Sequence, residues 1–197
     1  MKSRVVLGLV VGLTVSWVAA AGCKPEQPFI AGLDPEEFGR YVEARWGQRM
    51  TLVKQSDVWG YRAEFRYPDT EGVTVTLWLK LNPGRADRVE GFWFGVAPAE
   101  GSAVDRAELD RSGRELVLDV IGALRYDGAD PDALKRCFED FLARTEAEGV
   151  GRDGVGPGEA PSAAGEFKDL GPVRFHMFRF KDVIGLSGEV ITPDEGR

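Results

Sequence analysis

Between residues 50 and 97 the apolar side chains stop recurring every three or four positions and recur every second one. Tyr61, Ala63, Phe65 and Tyr67 alternate with Arg62, Glu64 and Arg66. Val73, Val75, Leu77, Leu79 and Leu81 then alternate with Thr74, Thr76, Trp78 and Lys80. Successive side chains of a strand point to opposite sides, so period two marks strands with one face buried. A connection as short as 68–72 joins such strands antiparallel. Asn82-Pro83-Gly84 predicts the next turn. Residues 89–96, with Phe92, Trp93 and Phe94, predict another strand, and residues 50–56 one more. The result is a meander of three or four strands whose apolar face needs a cover.

Helices on either side can supply that cover. Asp34 as N-cap, Pro35 at the first helical position and Glu37 two residues on open a first helix. Leu33 and Phe38 stand where a hydrophobic staple packs, and Phe38, Tyr41, Val42 and Trp46 follow at helical spacing up to Gly47. Ser112 and Glu115 read as a second capping box ahead of Leu116, Val117, Val120, Ile121 and Leu124. Asp130-Pro131 opens a third helix bearing Leu134, Cys137, Phe138, Phe141 and Leu142, closed by Gly149. From 149 to 165 the chain is Gly, Ala, Pro and small polar residues with no apolar period, which predicts a flexible loop. Two strands, at 173–181 and 183–191, end the chain. The expected fold is a single α+β domain over 33–197: an antiparallel meander with two C-terminal strands and helices packed on the sheet.

The first 22 residues stand apart from this domain. Met1-Lys2-Ser3-Arg4 is positively charged, residues 5–18 are apolar apart from Gly, Thr and Ser, and Ala19-Ala20-Ala21-Gly22 is a run of small side chains. That is the layout of a secretory signal. Its last residues, Ala20-Ala21-Gly22-Cys23, resemble the lipobox of bacterial lipoproteins. The resemblance implies cleavage before Cys23, a diacylglyceryl group on its sulfur and commonly an acyl chain such as palmitate on the new amine. It also implies an extracytoplasmic protein of the cell envelope, partnered with a bacterial membrane, inner or outer, through Cys23. Two or more acyl chains hold firmly where one holds only marginally. Residues 23–32, beginning Cys23-Lys24-Pro25-Glu26-Gln27-Pro28, would then form a helix-averse tether. Two other readings of the same residues stay open: Ala19-x-Ala21 suits an ordinary signal peptidase, and residues 5–21 approach the length of a short membrane span.

Charge narrows the partners. The formal charge is −7, and loss of residues 1–22 removes Lys2 and Arg4 as well. A chain this acidic with no basic stripe repels phosphate backbones, which argues against nucleic acid. A mature domain of this length buries roughly 70% of its unfolded surface and needs no disulfide framework.

Little catalytic grammar is present. His176 is the one histidine and alternates with Phe175 and Met177, so a place on the sheet surface fits better than a triad. Cys137 falls in an apolar helical stripe, where a thiol packs as a small hydrophobe. With one His and one further Cys a zinc site is poorly supplied. Asp127, Asp130 and Asp132 do not have calcium-loop spacing. Residues 149–154 match G-x-G-x-x-G but follow a helix instead of a strand. No cofactor, metal or catalytic residue is therefore assigned.

The aromatic residues Trp59, Tyr61, Trp78, Phe92, Trp93 and Phe94 carry more. Trp78 should face away from Leu77 and Leu79, and if Trp93 shares that face the sheet presents a patch able to bind a sugar, a peptide or a partner protein. The expectation against this is a sheet covered on both faces, the second by the first helix or by the 149–165 loop. In function, the residues read as an anchored, non-enzymatic module binding a partner protein or glycan of the envelope through Trp78 and Trp93. The alternative is an anchored hydrolase of envelope polymers using two carboxylates that sequence cannot locate.

Overall fold

A computed structural model describes residues 29–55, 58–68, 70–82, 85–150, 163–180 and 182–191. The signal segment, Cys23, residues 83–84 of the expected turn and most of the G-x-G-x-x-G stretch lie outside these. The order is helix α1 (Pro35–Trp46), strands β1 (Thr51–Gln55), β2 (Val58–Arg66), β3 (Val73–Asn82) and β4 (Arg85–Pro98), helices α2 (Arg106–Ala123) and α3 (Pro131–Ala147), then strands β5 (Ala163–Leu170), β6 (Val173–Phe180) and β7 (Ile184–Val190). The strands form one sheet in the order β1-β2-β3-β4-β7-β6-β5, with every neighbouring pair antiparallel. The α+β expectation holds.

Period two in β3 translates directly into sidedness. Val73, Val75, Leu77, Leu79 and Leu81 are fully buried, while Thr74, Thr76 and Trp78 are half-buried and Lys80 is exposed. The register carries this inner face across the sheet: Leu77 lies beside Phe94, Phe94 beside Leu186 and Leu186 beside Met177. All three helices pack on that side. In α1, Phe38 stacks on Phe94 with ring centroids 5.4 Å apart, and Trp46 meets Phe65. Tyr41 Oη donates to the Asp119 carbonyl of α2, and Arg45 pairs with the Asp119 carboxylate at 2.7 Å. In α3, Arg144 pairs with Glu166 of β5. Arg179 of β6, only 4% exposed, donates to Thr145 Oγ1 at 3.1 Å and to Asp110 of α2.

Helix α1 starts as expected: the Asp34 carboxylate accepts from the N–H groups of Glu36 and Glu37, and Gly47 ends the helix at φ 65°. Helix α2 does not. It begins six residues before Ser112, with the Asp105 carboxylate accepting from Ala107 N–H at 3.2 Å. Ser112 is buried inside it, its hydroxyl 3.0 Å from that of Thr70. The expected C-terminal strands are β6 and β7, and β5 is a third, joined to β6 through Gly171-Pro172 and overlapping the end of the 149–165 stretch. It has no apolar period because it is an edge strand with no fully buried position, Glu166 pairing with Arg144 of α3 between Ala164 and Leu170, which pack against the core.

The start of the described chain is tied down. Ile30 N–H donates to the Val89 carbonyl at 2.7 Å, and Asp127 N–H donates to the carbonyl of Ala31 at 2.7 Å. Among the described residues no helix is long and apolar enough to cross a membrane.

Candidate functional site

Helix α1 does not cover the second face of the sheet, because its apolar stripe is spent on Phe94 and Phe65, beside α2. Among the described residues no helix packs on the outer face. The 149–165 loop, the other expected cover, lies at 151–162 outside them.

The outer face is built from transverse rows fixed by strand register. One row runs Arg62, Trp78, Trp93, Ser187, His176, Phe167 from β2 to β5. Trp78 and Trp93 are therefore direct cross-strand neighbours, both half-buried. The other aromatics of this region divide differently: Phe92 and Phe94 stack in the core at 4.7 Å, and Trp59 and Tyr61 pack against the core side. Further along the row His176 stacks on Phe167 at 4.4 Å, and Phe167 is 63% exposed. Alternation put His176 on this surface, and no carboxylate–imidazole hydrogen bond accompanies it among the described residues. Burial lowers its pKa below the ordinary 6.5, opposed by the charge of Glu189.

Glycines make room for these rings. A Cβ on Gly60 would lie 2.7 Å from Trp78 Nε1, and one on Gly95 3.0 Å from Trp93 Cη2. One on Gly165 would lie 2.6 Å from His176 Nε2, and one on Gly185 2.6 Å from Phe178 Cζ. Each ring thus occupies space above a glycine, a packing that restores cover to a strand position without a side chain. Phe178 in turn stacks on Trp93 at 5.7 Å and 15°. Rings over glycines thus occupy one part of this face, beside the Thr76, Lys80, Glu90 and Glu189 that also belong to it.

The neighbouring row is polar: Lys80, Gly91, Glu189, Arg174 and Asp169. A shift in register after Lys80 leaves Glu90 as an extra residue on β4, a bulge of the kind that re-aims a side chain. Glu90 accepts from Asn82 Nδ2 at 3.0 Å and pairs with Lys80 at 3.2 Å. Arg174 Nε donates to Asp169 at 3.0 Å, and Arg62 pairs with Glu64. Between the aromatic and polar rows lies a groove of about 790 Å³ that Trp78, Trp93, His176, Phe167, Glu90 and Glu189 help to line. Its volume is within the range of about 300–1,000 Å³ common for ligand sites.

Cys137 is a free thiol, half-buried against the core, and Asp130 serves as N-cap by accepting from Ala133 N–H at 2.9 Å. Among the described residues no group of three or more His, Cys, Asp or Glu side chains could hold a metal ion. Sequence reasoning singled out Trp78 and Trp93 but missed Phe167, Glu90 and the glycine pattern. Recurrent Gly opposite aromatic positions was the available signal. No protein-family model, curated protein or solved structure matches this chain.

Proposed function

We propose that the protein is an extracytoplasmic lipoprotein, held on a bacterial membrane by acyl chains at Cys23, whose outer sheet face binds an envelope component without turning it over. The observation that carries the binding role is the pairing of Trp78 and Trp93 on a face that no described helix covers. Large half-exposed aromatics in a groove are poor neighbours for water and good ones for a ligand. The lipobox-like Ala20-Ala21-Gly22-Cys23 supports the location.

Retention of the full chain, in detergent, on isolated envelope material tests the role. The double variant W78A/W93A should lose retention while keeping its circular-dichroism spectrum, since both rings lie outside the helix-covered core. Undiminished retention would remove the outer face from the reading. The hydrolase alternative has two groove acids to use, Glu90 and Glu189. Release of soluble fragments from the same material, abolished by E90Q or E189Q, would put an enzyme in place of the binding module.

A further inference from the structure

Resting on the outer face as the binding surface, we infer that its ligand is an uncharged, extended polysaccharide laid across the strands along the row Trp78, Trp93, Ser187, His176, Phe167. Three observations lead there. Neighbouring strands lie about 4.8 Å apart, so the five positions span roughly 19 Å in steps comparable to one hexose ring. Aromatic rings seated over glycines offer flat apolar surfaces, which suit the C–H faces of equatorially linked sugars. The hydroxyl of Ser187 falls in the middle of the row.

The polar row selects against charge. Lys80 faces Glu90, Arg174 faces Asp169 and Arg62 faces Glu64, so each groove cation already meets a carboxylate. A polyanion would have to displace these pairs and approach a chain of formal charge −7, against its field. Hydroxyl groups can accept from the ammonium and guanidinium groups and donate to the carboxylates without breaking either. A peptide is disfavoured for a different reason. Strand β4 is hydrogen-bonded to β3 on one side and β7 on the other, so its backbone is committed. An extended peptide gains main-chain hydrogen bonds at a sheet edge, which this row reaches only at Phe167 of β5, four strands from Trp78.

Titration calorimetry and tryptophan fluorescence on the full chain in detergent test the inference. The probes are cellohexaose, chitohexaose and maltohexaose, with polygalacturonate and an extended decapeptide as comparators. At least one neutral hexasaccharide should bind and shift the tryptophan emission, the β-linked chains ahead of the helical α-linked maltohexaose. W78A and W93A should each weaken that binding about ten-fold, and raising the salt ten-fold should change it less than two-fold. Binding confined to polygalacturonate with steep salt dependence, or to the decapeptide, overturns the polysaccharide. So does sugar binding that both tryptophan variants leave intact. Envelope retention that W78A/W93A abolishes, with no hexasaccharide bound, refutes the sugar and spares the binding surface. Retention unaffected by W78A/W93A refutes both.

Discussion

His176 shows how one side chain links position to measurable behaviour. Burial between Phe167 and Phe178 lowers the affinity of its imidazole for a proton, the charge of Glu189 opposing. The folded chain therefore holds fewer protons than the unfolded chain once pH falls to the ordinary value of 6.5. Stability must rise with pH through that window and decline on acidification, levelling off below the folded-state value. Urea midpoints taken from about pH 8 to about pH 5 should fall more steeply for the wild type than for H176N, carboxylate effects being common to both. Parallel profiles would show that the ring is not desolvated. Strand alternation told that His176 and Trp78 point away from the apolar rows of their strands, because that property is local, whereas the placing of Trp93 beside Trp78 is a matter of strand register. Alternation could not reveal the Arg179–Asp110 pair, whose partners are 69 residues apart. Burial raises the pKa of Asp110 in spite of its two guanidinium neighbours, Arg106 and Arg179. That part-buried pair ties α2 to the inner face of β6, and nothing in the local pattern of either element announces it.

Among the elements, α2 departs most from its expected bounds. Ser112 and Gly113 look like a helix start because both residue types favour caps, yet they sit inside the helix for packing reasons. A Cβ on Gly113 would lie 2.9 Å from Ile184 Cβ and 3.0 Å from Val96 Cγ2. The missing side chain is what lets α2 approach β4 and β7. Replacing Gly by Ala inside a helix gains about 1 kcal/mol of propensity, while overpacking a close contact costs about 1–3 kcal/mol. G113A should accordingly lose about 1 kcal/mol net in denaturant titration, with its slope against denaturant unchanged; a gain in stability would mean that helix and sheet can separate at little cost. Period and capping residues identified α1, α3 and the central strands, since those features are written in consecutive residues. β5 escaped for the opposite reason: it is an edge strand with no fully buried position, and its place depends on β6.

At the scale of the molecule, the described helices pack on one face of the sheet, and the other carries the aromatic row and its polar neighbour. The sheet's sidedness was readable from sequence, but not the fact that α1 shares a side with α2 and α3; that follows from the Arg45–Asp119 and Tyr41–Asp119 contacts between distant segments. The candidate site was half legible. Two tryptophans were named, and the bulge that brings in Glu90 was not, because a bulge is a property of a strand pair. Location has its own check. Mass spectrometry of the mature N-terminus should find a diacylglyceryl-modified Cys23, and an unmodified Cys23 thiol or a chain starting at Gly22 would remove the anchor.

The hydrogen bond from Ile30 to Val89 bears on how such an anchored molecule would stand. Six residue spacings separate Cys23 from Phe29, and a fully stretched chain covers at most about 22 Å in that distance. The leash thus enters the fold beside Val89, two residues along β4 from the Gly91 floor of the groove, or roughly 7 Å further. With Cys23 in the lipid, the groove works within about 30 Å of the headgroups. A ligand of the groove would then be met in the layer that lies directly on the membrane, and free molecules in the surrounding medium would reach the groove only by diffusing down into that layer.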